Sequence, residues 1–243
     1  ATADDGSGVR DLNTLQALVT SAAAGAAAAL TTISSAAQAD TATAGTPSAA
    51  DYAAAGVTGV TAANLAAINT ALDSAAIDSA AVDTSAEVQH LVDTYNAILA
   101  AADGPTGSPA SPLTAAQYQT LGVSGAGTSS NGLALLNSAV DVASQSQVDT
   151  VGELQSLTDA ANGVISAASG GPAPTLAELQ TLGVAGVTSD NLAAIQQAIA
   201  ATADDGSEVG DLNILQALVT STAGAAAAAV TTISSAAQAD TAS

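Results

Sequence analysis

The chain has 243 residues, with 22 acidic side chains against a single basic one, Arg10, and a formal charge of −21 at pH 7. That balance excludes a phosphate-binding footprint, so neither nucleic acid nor an anionic membrane surface is an expected partner. With no cysteine, three tyrosines as its whole aromatic content and an alanine-heavy apolar fraction of 48%, the chain has no disulfide or thiolate staple and only a thin core per segment.

Taken in order, the first element follows an acidic loop, Asp4-Asp5-Gly6-Ser7. Between Asp11 and Asp40 stand 28 uncharged residues. Leu12, Leu15, Val19, Ala22, Ala26, Ala29, Ile33 and Ala36 keep a spacing of three or four, which predicts one amphipathic helix. At roughly 1.5 Å per residue it spans about 40 Å. That length would also cross a membrane. Ser, Thr, Gln and Asn interrupt the run and long branched apolar residues are few, so a closely packed alanine helix is expected and no membrane span. Residues 201–243 repeat residues 1–43 at an offset of 200. Leu12, Leu15, Val19 and Ile33 with their copies Leu212, Leu215, Val219 and Ile233 form the expected packing seam, between units or between chains. The repeated ends predict either a window on a longer array or a chain built to continue end to end.

Between those ends one phrase recurs. It reads Ala55-Gly56-Val57-Thr58-Gly59-Val60-Thr61 before Asn64-Leu65-Ala66-Ala67-Ile68, and returns as Leu182-Gly183-Val184-Ala185-Gly186-Val187-Thr188 before Asn191-Leu192-Ala193-Ala194-Ile195. A looser middle copy starts at Leu121-Gly122-Val123. The leading glycines lie 66 and 61 residues apart, so the chain divides into the second half of a unit at 1–47 and full units at 48–112, 113–174 and 175–243. Each unit predicts three helices. The first is short (48–55, 114–121, 175–182) and opens on Ser48-x-x-Asp51, Thr114-x-x-Gln117 or Thr175-x-x-Glu178, the pattern of a capping box. Gly56, Gly122 and Gly183 then stand where a helix end takes a left-handed residue. A second helix is expected from near Thr61, Ser129 or Thr188. The third is the most amphipathic, with Val88, Leu91, Val92, Tyr95, Ile98 and Leu99 on one face, and Leu154, Leu157, Ala161, Val164 and Ile165 in the next copy. Thr84-x-x-Glu87 and Thr150-x-x-Glu153 cap it. Between 72 and 86 a five-residue period around Asp73, Asp78 and Asp83 predicts a connector. The fold class is therefore all-α: tandem three-helix units with long Ala-rich helices in a solenoid-like or fibre-like array.

Candidate sites are sparse. His90 stands off the apolar face with no second histidine, which predicts a surface residue rather than a zinc ligand or a catalytic base. No carboxylate pair is marked by a pocket motif, so an enzyme is not expected and no cofactor is implied. Asp4, Asp5 and Asp11, repeated as Asp204, Asp205 and Asp211, set hard oxygens around a glycine turn, the donor type that calcium takes. The plainer reading of the same residues is a turn followed by an acidic helix cap.

The recurring Leu-Gly-Val-x-Gly-Val-Thr-x-x-Asn-Leu-Ala-Ala-Ile, followed by a Glu-Val-Gln or Glu-Leu-Gln helix, resembles the tandem modules of giant repetitive bacterial surface proteins of the adhesin and biofilm type. The resemblance covers essentially the whole chain. It implies an extracellular, cell-attached structural region, a stalk or filament, whose partners are adjacent repeats, other copies of the chain, and a matrix or host-surface ligand. Gly56-Val57, Gly122-Val123 and Gly183-Val184 also resemble the turn of three-helix albumin-binding modules. The third helix here lacks their basic residues and aromatic patch, so albumin binding is not carried over. The alternative class is a multivalent binding module for protein, glycan or calcium.

Overall fold

The computed structural model describes residues 11–39, 46–105, 111–202 and 205–240. Among them every regular element is helical: ten α-helices and three 3-10 turns, with no strand beyond an isolated bridge between Asp103 and Ser144. The chain falls into two compact units, residues 1–96 and 97–243.

In the first unit α1 (Leu12–Ala39) is a single uninterrupted helix, as its alanine content and lack of proline require. Asp11 caps it, its carboxylate accepting from the Thr14 N–H and the Thr14 hydroxyl, both at 2.8 Å. The short α2 (Ala49–Ala54) forms on a capping box in which Ser48 and Asp51 satisfy each other's backbone N–H. It stops at Gly56, φ +81°, where the Val57 N–H donates back to the Tyr52 carbonyl at 2.9 Å. Next comes α3 (Leu65–Leu72), and then a connector whose 3-10 turn Ser79–Ala81 is capped by Asp78. The elements α2, α3 and this turn pack on α1, where Ala29, Ile33, Ala36 and Ala37 are buried. Helix α4 (Ser85–Ala101) carries the boundary between the units and buries Val88, Leu91, Val92 and Tyr95.

The second unit adds α5 (Ala115–Thr120), α6 (Ser130–Val142), α7 (Val151–Ala168), α8 (Leu176–Thr181), α9 (Leu192–Ala200) and α10 (Leu212–Asp240). Capping boxes at Thr114, Thr150 and Thr175 open α5, α7 and α8. The centre is α7, which packs against α6 before it in sequence and α8 and α9 after it. Its buried positions run from Leu154 to Ala168. Helix α10 packs on α9, α6 and the 3-10 turn Ser207–Val209.

Two of the second helices begin later than the sequence suggests, at Leu65 and Leu192 rather than near Thr61 and Thr188. Asparagine is the reason. The Asn64 side-chain oxygen accepts from the Thr61 N–H at 2.6 Å, and Asn191 does the same for Thr188 at 2.8 Å. Each closes a turn that precedes the helix proper. In the middle copy Ser129 takes the cap directly, accepting from the Gly132 N–H at 2.9 Å, so α6 starts at the expected place.

Candidate functional site

The geometry that recurs most faithfully is a side-chain clamp on the turn between the two shorter helices. Gln89 accepts from the Thr58 N–H at 2.8 Å and donates to the Thr58 carbonyl at 3.1 Å. Gln155 repeats both bonds on Ser124, at 2.8 and 3.1 Å, and Gln216 repeats them on Ala185, at 2.7 and 3.1 Å. A primary amide offers one donor and one acceptor on adjacent atoms, so it matches a peptide edge as a neighbouring strand would. Asp93, Asp159 and Thr220, one turn further along, each accept a second N–H from the clamping amide and fix its orientation. Asn96 and Asn162 add a bond to the Gly59 and Gly125 carbonyls, both at 3.1 Å. Glycine is required at those two positions, with φ +82° and +78°, and a Cβ there would meet the asparagine amide at 3.2 and 3.1 Å.

A second repeated device anchors the short helix. Buried Tyr52 donates its hydroxyl to the Asn69 side chain at 2.8 Å, and Asn69 donates to the Pro47 carbonyl at 2.9 Å. Tyr118, Asn137 and the Leu113 carbonyl repeat the chain of bonds. In the third copy Leu179 stands where tyrosine did, and Gln196, one methylene longer than asparagine, still reaches the Pro174 carbonyl at 2.9 Å. Burial pushes the Tyr52 and Tyr118 phenols well above their ordinary range, with the Asp51 and Asp73 charges adding to the effect at Tyr52. Sequence reasoning misses both networks, although the glutamines recur at the same 66 and 61 spacing as the glycines.

Of the calcium candidates, Asp4, Asp5 and Asp204 lie outside the described residues. The other three cap helices or turns. Thr14 holds the Asp11 carboxyl below the usual range, and Ser207 does the same for Asp205, whose carboxylate accepts from the Ser207 N–H at 2.9 Å. Asp211 accepts from the Asn213 N–H at 2.8 Å at the start of α10. Among the described residues no three His, Asp or Glu side chains gather where a metal could sit. His90 is exposed on α4.

The seam residues divide between their two copies. Leu12, Leu15 and Val19 are exposed on α1 while Leu212, Leu215 and Val219 are buried on α10; Ile33 is buried and Ile233 is exposed. Both long helices carry stretches long and apolar enough to cross a membrane, Leu12–Ala37 and Leu212–Gln238. The second unit also has a groove of about 680 Å³ lined by Leu113, Leu133, Asn137, Asp141, Asp211 and Asn213. The Asn137 amide and the Asp211 carboxylate already serve the anchor and the α10 cap. Among the described residues no buried side-chain polar atom lacks a partner. No family model, no curated protein and no solved structure matches this chain.

Proposed function

We propose that the chain is structural: a repeat region of a secreted bacterial surface protein, serving as a stalk or extracellular filament of tandem three-helix units. The observation that carries this reading is the setting of α7. It is buried along its length between α6, from its own sequence repeat, and α8 and α9, from the next. The same two repeats also share hydrogen bonds, Asn131 to the Asp205 carbonyl at 2.7 Å and the Leu212 N–H to Ser138 at 3.1 Å. A long helix used by two neighbours sets length and stiffness without a thick core, which suits a cysteine-free, alanine-rich sequence. The one-signed charge keeps the surface hydrated and opposes non-specific association. Catalysis has no part in this reading.

Antibodies applied to intact, unpermeabilised cells of the source organism test it. Surface labelling is the expected result, with a product that is either far heavier than the 22.8 kDa of this chain when denatured or, when native, a non-covalent assembly of it. Labelling only after the cells are opened would overturn the extracellular assignment. The binding-module alternative is tested by calorimetry: a saturable Ca²⁺ isotherm lost on Asp204→Ala with Asp205→Ala would favour it.

A further inference from the structure

Helices α1 and α10 are nearly the same text. Residues 12–39 and 212–239 differ at five positions only (14, 22, 24, 25 and 30 with their counterparts). Their burial is opposite. At the N-terminal half Leu12 is 78% exposed and Leu212 6%; at the C-terminal half Ile33 is fully buried and Ile233 is 68% exposed. Ala29, Ile33, Ala36 and Ala37 lie under α2, α3 and the Ser79–Ala81 turn, while the identical Ala229, Ile233, Ala236 and Ala237 face solvent. Helix α7 shows the complete arrangement, with both halves covered. The bare half of α10 therefore has a defined complement, because its own sequence copy is already seated on it.

We propose that residues 229–237 of α10 dock on the α2, α3 and Ser79–Ala81 face of a second copy of this chain, by exchange with that copy's α1. The two helices present the same Ala-Ile-Ala-Ala face to one site, so one must leave when the other enters. Exchange keeps the contacts at that site and covers the half of α10 that is bare, while it uncovers Ala29, Ile33, Ala36 and Ala37 of the α1 that leaves. The α1 released carries Leu12, Leu15 and Val19, which no neighbour covers in the described structure. Because each copy then offers its own free α10, the association runs head to tail and remains open at both ends. The docking face of α10 carries no charge between 212 and 239, whereas the whole chain carries −21, so screening salt favours association. The proposal deepens the structural reading above and rests on it for the packed-repeat frame.

Sedimentation velocity of the full chain over a roughly thousand-fold concentration range, at low and high salt, tests it. The expected result is a series of species at multiples of 22.8 kDa that grows with concentration and with salt. Ile233→Asp abolishes the series with circular dichroism unchanged, and Ser235→Asp, which adds the same charge on the opposite face, leaves it intact. Ile33→Asp, which loosens the resident α1, raises the assembled fraction at a given concentration. If that variant fails to fold, wild-type chains carrying different fluorophores at their N-termini report the same event by faster mixing at higher salt. A wild type that stays monomeric throughout overturns the proposal, as does association that survives Ile233→Asp. So does capture of α10 by neutral lipid vesicles in place of self-association. Any of these leaves the surface-labelling result unaffected, so the two readings fail separately.

Discussion

Gln155 reaches Ser124 across 31 residues and pairs with both polar groups of its backbone. Gln155→Ala is expected to cost about 1 kcal/mol, since water replaces bonds that are partly exposed. Gln155→Glu costs more, because it turns a donor into a carboxylate oxygen aimed at the Ser124 carbonyl and at Asp159. Urea unfolding of the two variants against wild type measures the order. The anchor supports a sharper test. Tyr52→Phe strands the buried Asn69 oxygen, at about 1–3 kcal/mol. Tyr52→Leu combined with Asn69→Gln copies the pair Leu179 and Gln196, and is expected to cost less than the sum of the two single changes in a double-mutant cycle. The raised phenol pKa of Tyr52 and Tyr118 fixes an alkaline limit. Stability from burying them neutral is fully present below their unfolded value of 10.0 and is lost as pH rises beyond it. Tyrosinate absorbance from these two rings should therefore appear together with loss of helix.

At the scale of the element, ends matter more than middles. The short helices have six residues each, too few to persist alone, and each is held by a capping box at one end and a glycine at the other. Gly56 has φ +81° and open space within 4 Å of where a Cβ would stand, so Gly56→Ala bears the left-handed backbone cost alone, about 1 kcal/mol. Gly56→Asn is expected to be milder, because asparagine tolerates that region. Thermal melts compare the two. Asp51 is held below its ordinary 3.8 by the Ser48 hydroxyl and N–H. Its contribution is present above 3.8 and lost as pH falls through the lower folded value. The gap in melting temperature between wild type and Asp51→Ala should close on acidification and not on alkalinisation.

For the whole molecule, self-repulsion opposes the fold in addition to chain entropy. With a net charge of −21 and no lysine or arginine among the described residues, compaction brings like charges together. The melting temperature is expected to rise with NaCl until the screening length falls to a few ångströms, a trend that calorimetry checks. Against that repulsion stands a core of valine, leucine and isoleucine with the three tyrosines, in which alanines let the helices approach closely. Helix α7, buried from Leu154 to Ala168, adds area along its length instead of at one point.

Helix type, length and most boundaries are legible in the sequence because their causes act within four or five residues. Alanine and leucine periodicity, hydroxyl and carboxylate caps, and left-handed glycines all work at that range. The later starts at Leu65 and Leu192 are not legible, because Asn64 and Asn191 bond backward to Thr61 and Thr188, an outcome that competes locally with one more helical turn. The clamps and the tyrosine anchors stay hidden for a different reason. They join residues 17 to 31 apart, and only packing brings those residues together. The long helices show the limit most plainly. Gln16 donates to Thr20 while Gln216 clamps Ala185, and Leu12 faces solvent while Leu212 is buried. Near-identical text settles that both segments are helices, since that preference is local. Which half of each is covered was decided by the neighbours, because burial belongs to a pair of surfaces and never to one alone.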